Sequence, residues 1–496
     1  MKRFLVALGV PALAGCSLIY NPNNLPDPRI IDAAIVDSNA CALQIDSIAP
    51  LFINEGQGDG NSLPALLVLH GNNFVNANLK VELKAPDGVT VLLEPIADAV
   101  ASADTTYLAF TVTAHVDVKL ATSVPLDVIV TQDCMGGQRV SKTLSGLLTL
   151  NGLPELTSKT TIATLENKYS RVDLANVTFN GSTAAVVRAV SSIAMKAVSA
   201  DANLTAPGPG GNMGSKTVGA CPTAGGGGGL GGDANLSSVS AEGGGGGGGG
   251  GSTPGAAGAT GSAGRGGAGG ASGIRSGSDL MPALEANAAC AGGGGGLGGT
   301  LILTNPGGAG GGGGGTLALI AGGDISATSI SAKGGQGSGP AGSGGSGGGG
   351  GAGGNVLAST ENGTLAIASI NVPGGTGGSP NGGAGGIGHA RWDAPDVNTP
   401  NGATRRGPSF ARIPTHVFTT SSPAFTVVGT SGDSFSVRVV DQSGSAQDSG
   451  HVSINGGRAV ITPKLAPGFD QVCITLDGGA QEHPESDRCI SVAYLP

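Results

Sequence analysis

Between Gly208 and Gly388 the chain carries about 72 of its 95 glycines, roughly 40% of that stretch, while both flanks have ordinary composition. A usual glycine share is about 7%. Such a stretch has too few side chains for a conventional core, and it divides the 496 residues into three blocks before any motif is read. Collagen is excluded, because no strict Gly-X-Y period runs through the block. With 12% charged residues, 3% aromatics and a single Trp, an enzyme of ordinary build is not expected. The glycine runs themselves have two readings. Glycine loses the most entropy on ordering, which favours disorder; a chain without side chains can also pack as bundled, extended left-handed helices.

The block contains an internal repeat. Gly231–Gly244 (GGDANLSSVSAEGG) aligns without a gap on Gly322–Gly335 (GGDISATSISAKGG). Two weaker copies place Leu365, Ile370 and Val372, and Ile193, Val198 and Ala200, in register with Ile325, Ile330 and Ala332. Short apolar strands precede the copies at Ala185–Ala189, Leu301–Thr304, Thr316–Ala321 and Asn355–Ala358. A unit of strand, tight turn and strand exposes an apolar face that only stacking buries, which is the logic of a solenoid. Residues 153–390 are therefore expected to form a parallel β-helix or β-roll, with the glycine runs as excursions from one side. The competing arrangement is a two-sheet antiparallel sandwich. A short helix is tempting only at Asp279–Cys290.

The flanks read differently. Residues 41–152 hold about seven short alternating segments: Ala42–Ile48, Ala65–His70, Leu79–Lys84, Val89–Glu94, Tyr107–Thr113, Leu126–Thr131 and Arg139–Leu150. Without any helical period, these predict a β-sandwich. The run Ile45-Asp46-Ser47-Ile48-Ala49-Pro50, then Gly56, then Leu67-Val68-Leu69-His70-Gly71-Asn72-Asn73-Phe74, resembles the opening of the immunoglobulin-like IPT/TIG modules. The resemblance covers about 35 residues and implies a spacer or interaction unit with no catalytic residue. After a polar linker at 391–409, residues 410–496 alternate again, with hairpin turns at Ser443-Gly444 and Gly456-Gly457. By pattern this block looks like bacterial immunoglobulin-like add-on domains. The expected fold class is thus all-β: two Ig-like β-sandwich domains flanking a Gly-rich parallel β-helix or β-roll.

The N-terminus addresses the compartment. Met1–Cys16 has two cations (Lys2, Arg3), an apolar run of about eleven residues and a small-residue end. That is too short to span a bilayer, which takes roughly 20 apolar residues, and it reads as a signal peptide over 1–15. Leu13-Ala14-Gly15-Cys16 resembles the lipobox of bacterial lipoproteins. The resemblance implies cleavage before Cys16, lipidation of its sulfur, a tether over 16–40 and the lipid bilayer as a partner. Ser17 stands where Asp would signal inner-membrane retention, so the resemblance implies the outer membrane of a Gram-negative bacterium, periplasmic or surface-exposed. The processed chain carries a net charge near −11 rather than −9, a surface that repels nucleic acid. Arg405-Arg406 is the one basic cluster and reads as part of a solvated linker.

Six cysteines remain, two per block. The economical pairing joins Cys41 with Cys134, Cys221 with Cys290 and Cys473 with Cys489, as suits an oxidising envelope. None has zinc or redox spacing.

Glycine motifs match by accident in such a chain. GxGxxG never occurs as strand, turn and helix with an acidic residue following, so nucleotide binding is unsupported. Gly210–Thr217 is a near miss to a phosphate loop. Gly344-Gly345-Ser346-Gly347-Gly348 matches the nucleophile elbow by letters alone, and Gly432-Asp433-Ser434 fits a hairpin turn. The six histidines are isolated. Asp233 and Asp324 follow Gly-Gly at equivalent places and are candidate calcium ligands, although a turn-favouring Asp explains them as well. No carboxylate pair stands out for carbohydrate chemistry. No catalytic residue and no cofactor are expected. The function expected is a non-enzymatic, lipid-anchored envelope protein with a structural or adhesive role and a glycan or protein surface ligand. The alternatives are a glycan-binding or carbohydrate-active β-helix, or a flat Ser, Thr and Ala array that binds ice.

Overall fold

The computed structural model describes residues 42–117, 120, 122–134, 137–163, 166–211, 213–214, 245–248, 253–261, 266, 268, 307–342, 345–396, 399–403, 405–476 and 488–496. The repeat copy at Gly231–Gly244, the strand expected at Leu301–Thr304 and the helix expected at Asp279–Cys290 lie outside these residues. The described chain is all-β, with no helix.

Two sheets of the middle block lie face to face, and every pairing in them is parallel rather than antiparallel. One sheet runs Glu166–Tyr169, Ala185–Ala189, Thr316–Ala321, Asn355–Thr360, His389–Asp393 and Arg405–Arg406; its partner runs Thr161–Ala163, Val172–Asn180, Ile193–Ser199, Ile325–Ser331 and Leu365–Ile367. Each coil of chain lays one strand in each sheet. Repetition then stacks like on like: Ala185, Leu317, Val356 and Ala390 form one inward row, and Val187, Leu319, Ala358 and Trp392 the next. Opposite them stand Ile193, Ile325 and Leu365, then Val198, Ile330 and Ile370. The register of pairing is the register in which the copies align as text. All these side chains are buried in one apolar cluster.

Three segments depart from expectation. Val172–Asn180 forms a strand although no Gly-Gly pair flanks it; its Val172, Leu174, Val177 and Phe179 face the core. The linker placed at 391–409 is partly sheet, since Trp392 completes an apolar row and Arg405–Arg406 pairs with Arg391–Trp392. Val89–Glu94 is not a continuous strand: it pairs at a single Leu93–Ala114 bridge, with Val91 and Leu93 partly buried against the core, while Val89 and Leu92 stay exposed.

The flanking blocks each consist of two sheets around an apolar layer. In the first, Gln44–Ala49, Ala65–Asn72, Tyr107–Val112 and Val100–Ala101 face Phe52–Asn54, Arg139–Asn151, Val124–Asp133 and Lys80–Lys84, with Leu67, Phe74, Phe110, Leu126 and Leu148 between. In the last, three strands including Phe425–Val428 face five including Gly468–Leu476, around Phe425, Phe435 and Val472. The two blocks also touch each other, where Leu66, Val68 and Ala109 meet Phe469, Ala493 and Leu495.

The glycine segments are ordered where described. Residues 332–339 leave the sheet after Ile325–Ser331, and 345–354 return to Asn355–Thr360; 373–379 and 381–388 form the next pair, and 307–315 leads into Thr316–Ala321. Bonding among them has a period of three. Gly347, Gly350 and Gly353 donate to the carbonyls of Pro380, Gly383 and Gly386; Gly348, Gly351 and Gly354 donate to Ser338, Gly335 and Ala332. The carbonyls of Ser346, Gly349 and Ala352 accept from Gly308, Gly311 and Gly314. A strand would alternate with a period of two. No residue from 307 to 388 except Asn381 has a positive φ among those described, so the threefold extended chain is the left-handed polyproline II form, bundled.

Glycine content follows depth in the bundle. The central segment 345–354 is buried throughout and has only Ser346 and Ala352 besides glycine. Outer segments expose every third residue, as at Pro373, Thr376 and Ser379, and place Gly-Gly between. A Cβ at Gly351 would stand 2.0 Å from the Gly312 carbonyl oxygen, and one at Gly350 2.0 Å from that of Gly375. Gly351→Ala should therefore cost at least about 1–3 kcal/mol by forcing two chains apart. Thr376→Ala, on the exposed face, should stay within about 0.5 kcal/mol. Urea unfolding of both variants checks this, and equal midpoints would contradict the close packing.

Candidate functional site

Cys16, Cys41, Cys221, Cys290 and Asp233 lie outside the described residues. Cys473 and Cys489 are bonded to each other and face one another in register across adjacent strands. Cys134 is disulfide-bonded as well.

Asp324 sits in the turn between the strands of its coil, and its surroundings are donors. Oδ1 accepts from the Thr364 N–H at 2.7 Å and the Thr364 hydroxyl at 3.0 Å; Oδ2 accepts from the Asn61 amide at 2.7 Å. The Asp324 N–H donates to the Gly60 carbonyl, and its own carbonyl accepts from Ile193. The carboxylate thus caps the next coil and fastens the first block to the stack. Donor hydrogens point at its oxygens where a cation would have to approach. Among the described residues no group of three or more His, Cys, Asp or Glu could hold a metal ion.

Ser346 of the nucleophile-elbow match lies in the central bundle segment, fully buried in extended chain. Among the described residues around it there is neither the strand before nor the helix after that such chemistry requires. Asp433 is used structurally, bonded to Arg405. Arg405-Arg406 is therefore no solvated linker. The Arg406 guanidinium stacks 4.7 Å over the Trp392 ring and donates to the carbonyls of Ala394 and Asp396.

Two polar clusters escape the sequence because their members are far apart in it. Asp393 is fully buried and accepts from Arg391 Nε at 2.8 Å, Arg488 at 2.6 Å and the Gly407 N–H at 2.9 Å. Burial alone would raise its carboxyl, but the two guanidiniums hold it below the usual carboxylate range. In the first block the His115 ring lies between Asp59 Oδ1 at 2.6 Å and Glu94 Oε1 at 3.2 Å. The Asp59 hydrogen bond, aided by both carboxylate charges, raises the ring above the ordinary histidine value of about 6.5. Neither cluster has a nucleophile beside it in the contacts described, and both join segments distant in the chain.

The bundle presents a regular outer face. Along each outer segment one side chain projects every three residues, about 9 Å apart at 3.1 Å per residue. Lys333 and Gln336 project from one segment, Pro373, Thr376 and Ser379 from the next, and Ala384 and Ile387 from a third. Backbone donors between them are spent on neighbouring chains, so the face is stiff and its chemistry is that of small, mostly uncharged side chains. Ile387, at 49% exposure, is an apolar group on it. Comparison with family models, with curated proteins and with solved structures finds no match to this chain.

His115 gives a test by pH. Its folded-state pKa is raised, so its stabilising contribution is full below about pH 6.5 and is lost as pH rises through the folded value. The stability difference between the native chain and His115→Gln should shrink from pH 6 to pH 9, and the ring should titrate above 6.5 by NMR. A midpoint below 6.5 would contradict the Asp59 and Glu94 contacts.

Proposed function

We propose that this is a non-enzymatic, lipid-anchored protein of the bacterial cell envelope with a structural or adhesive role. In this reading Cys16 carries the lipid, residues 16–40 are the tether and the 41–152 and 410–496 blocks are immunoglobulin-like spacers. The parallel stack between them is a β-solenoid that holds the glycine bundle out as the contact surface. The observation that carries the reading is the bundle's outer face, where Thr376, Ser379, Ala384 and Ile387 stand at triplet spacing on backbone whose hydrogen bonds are internal. A face of this kind is rigid before contact, so binding to it costs little ordering entropy. A lipidated Cys16 with several acyl chains, each worth about 0.8 kcal/mol per buried methylene, would make attachment effectively permanent.

Two measurements test this. In cells grown on labelled palmitate, the native chain should take up label and the Cys16→Ser variant should not; label on the variant would remove the anchor from the proposal. Thr376→Lys with Ala384→Lys should abolish adhesion of expressing cells to their natural substratum while the melting temperature stays within about 2 °C. Undiminished adhesion would move the contact surface elsewhere.

A further inference from the structure

A cavity of about 580 Å³ lies where the three blocks meet. Its floor is the outer face of the first parallel sheet, where Lys168, Arg188, Ile320 and Ser359 form one register row across four strands. One wall is the 50–66 segment of the first block, including Phe52 and Gln57. The other wall comes from the last block, with Ser409, Phe410, His416 and Arg488. Glu361, directly after the strand that carries Ser359, completes the ring of charge.

Two groups in this cavity are polar, buried and unsatisfied. Ser409 is only 2% exposed, and its hydroxyl has no hydrogen-bond partner. The Arg488 side chain is 12% exposed; one guanidinium nitrogen is pinned by Asp393 at 2.6 Å, while Nε has no partner. Leaving such atoms dry is unfavourable, and most of all for a charged group. Lys168, Arg188 and Arg488 line the cavity with the carboxylate Glu361, and Asp393 behind the wall is shared between Arg488 and Arg391, so cations outnumber carboxylates around the cavity inside a chain of net charge −9. That combination suits a small anion, because an extended polyanion would be repelled by the rest of the surface. The remaining lining alternates hydroxyl and amide groups (Ser359, Ser409, Gln57) with apolar faces (Phe52, Phe410, Ile320). A pyranose has the same alternation, with hydroxyls at its edge and C–H groups on its faces.

The geometry points to a binding site for an acidic monosaccharide, its carboxylate held at the Lys168, Arg188 and Arg488 corner, its hydroxyls by Ser409 and Ser359, and its ring against Phe410. The volume falls within the roughly 300–1,000 Å³ of small-molecule sites. Guanidinium forks are matched to a carboxylate, and the Asp393 contact holds one of them in place beforehand. The inference is independent of the anchor and of the bundle surface.

Charge coupling in the cavity fixes the pH dependence. The Glu361 side chain is open to the cavity, and desolvation by the protein around it raises its carboxyl to about 7, against the pull of Lys168 and Arg488. The same desolvation lowers Lys168, whose side chain is also open to the cavity, and burial lowers His416, which is held by the Ser491 carbonyl. As pH falls through about 7, Glu361 loses its negative charge, and that change favours an anion.

Calorimetric titration of the purified full chain with D-glucuronate, methyl glucuronide, D-glucose and inorganic phosphate tests the site. Glucuronate should bind saturably, more tightly at pH 6 than at pH 8, with glucose and phosphate at least about 10-fold weaker. Methyl glucuronide binding as well as glucuronate identifies the terminal residue of a glycan as the source; binding of glucuronate alone identifies the free sugar. Lys168→Met should weaken binding about 10-fold. Glu361→Gln should tighten it several-fold at pH 8 and little at pH 6, a gain that misfolding does not produce. The inference is overturned if neither acid binds up to 20 mM (about 2 kcal/mol of standard binding free energy), if phosphate binds as tightly as glucuronate, or if both variants leave affinity unchanged.

Discussion

The contact on which the molecule depends is the approach of one glycine backbone to another, N–H to carbonyl, at a distance no Cβ would allow. Ordering a residue costs about 1–2 kcal/mol of backbone entropy, and glycine is at the unfavourable end. An excursion rich in glycine, such as 332–354 with 14 glycines between two strands, would ordinarily stay disordered. Here each buried glycine is bonded to neighbouring chains out of reach of water, where an unmade bond would be expensive. The central segment 345–354 bonds to the segments around 247, 311, 335, 376 and 383, so it is fixed from five directions among the described residues. The bundle in turn delivers each returning chain to the sheet in register, which lets Leu317 and Val356 stack although they are separated by a whole excursion.

A second constraint joins the blocks. Their seams are made of carboxylates in donor-rich surroundings: Asp324 with Asn61 and Thr364, Asp393 with Arg391 and Arg488. Removing one member of the buried Asp393 group typically costs about 3–5 kcal/mol, because its partner is left charged and dry. Such seams fix orientation more than they add stability, and the position of the cavity walls depends on them. Arg488 holds the last block to the stack with one nitrogen and faces the cavity with the rest of its side chain.

Much of this was written in the letters. The alignment of Ile325 and Ile330 on Leu365 and Ile370, and on Ile193 and Val198, is the observed ladder, because a parallel stack places equivalent residues directly above one another. The extended bundle was one of two readings of the glycine runs, and its local signature, Gly-Gly between exposed residues at Pro373, Thr376 and Ser379, is visible in the sequence once a period of three is sought over short spans. Val172–Asn180 was missed because the glycine punctuation that marks later coils is absent there. Arg405 and Arg406 read as solvated because charge pairs are usually surface features; their anchors, Asp433 and Trp392, are not adjacent in sequence. The cavity was illegible for the same reason. Lys168, Arg188 and Glu361 come from the middle block, Ser409 and Arg488 from the wall of the last and Phe52 and Gln57 from the first, and no spacing rule links them.

The out-and-back path of the glycine limbs separates length from register. A limb gains one full helical turn for every triplet added, about 9 Å, and ends pointing in the same direction. Inserting a triplet into 332–339 and another into 345–354 would move the tip outward while Ile325–Ser331 and Asn355–Thr360 kept their pairings. Replication slippage in a glycine-coding tract, elsewhere a source of frameshift or disorder, would here act as an adjustable ruler. The reach of the protein from its scaffold could then change from one generation to the next without any change in its core.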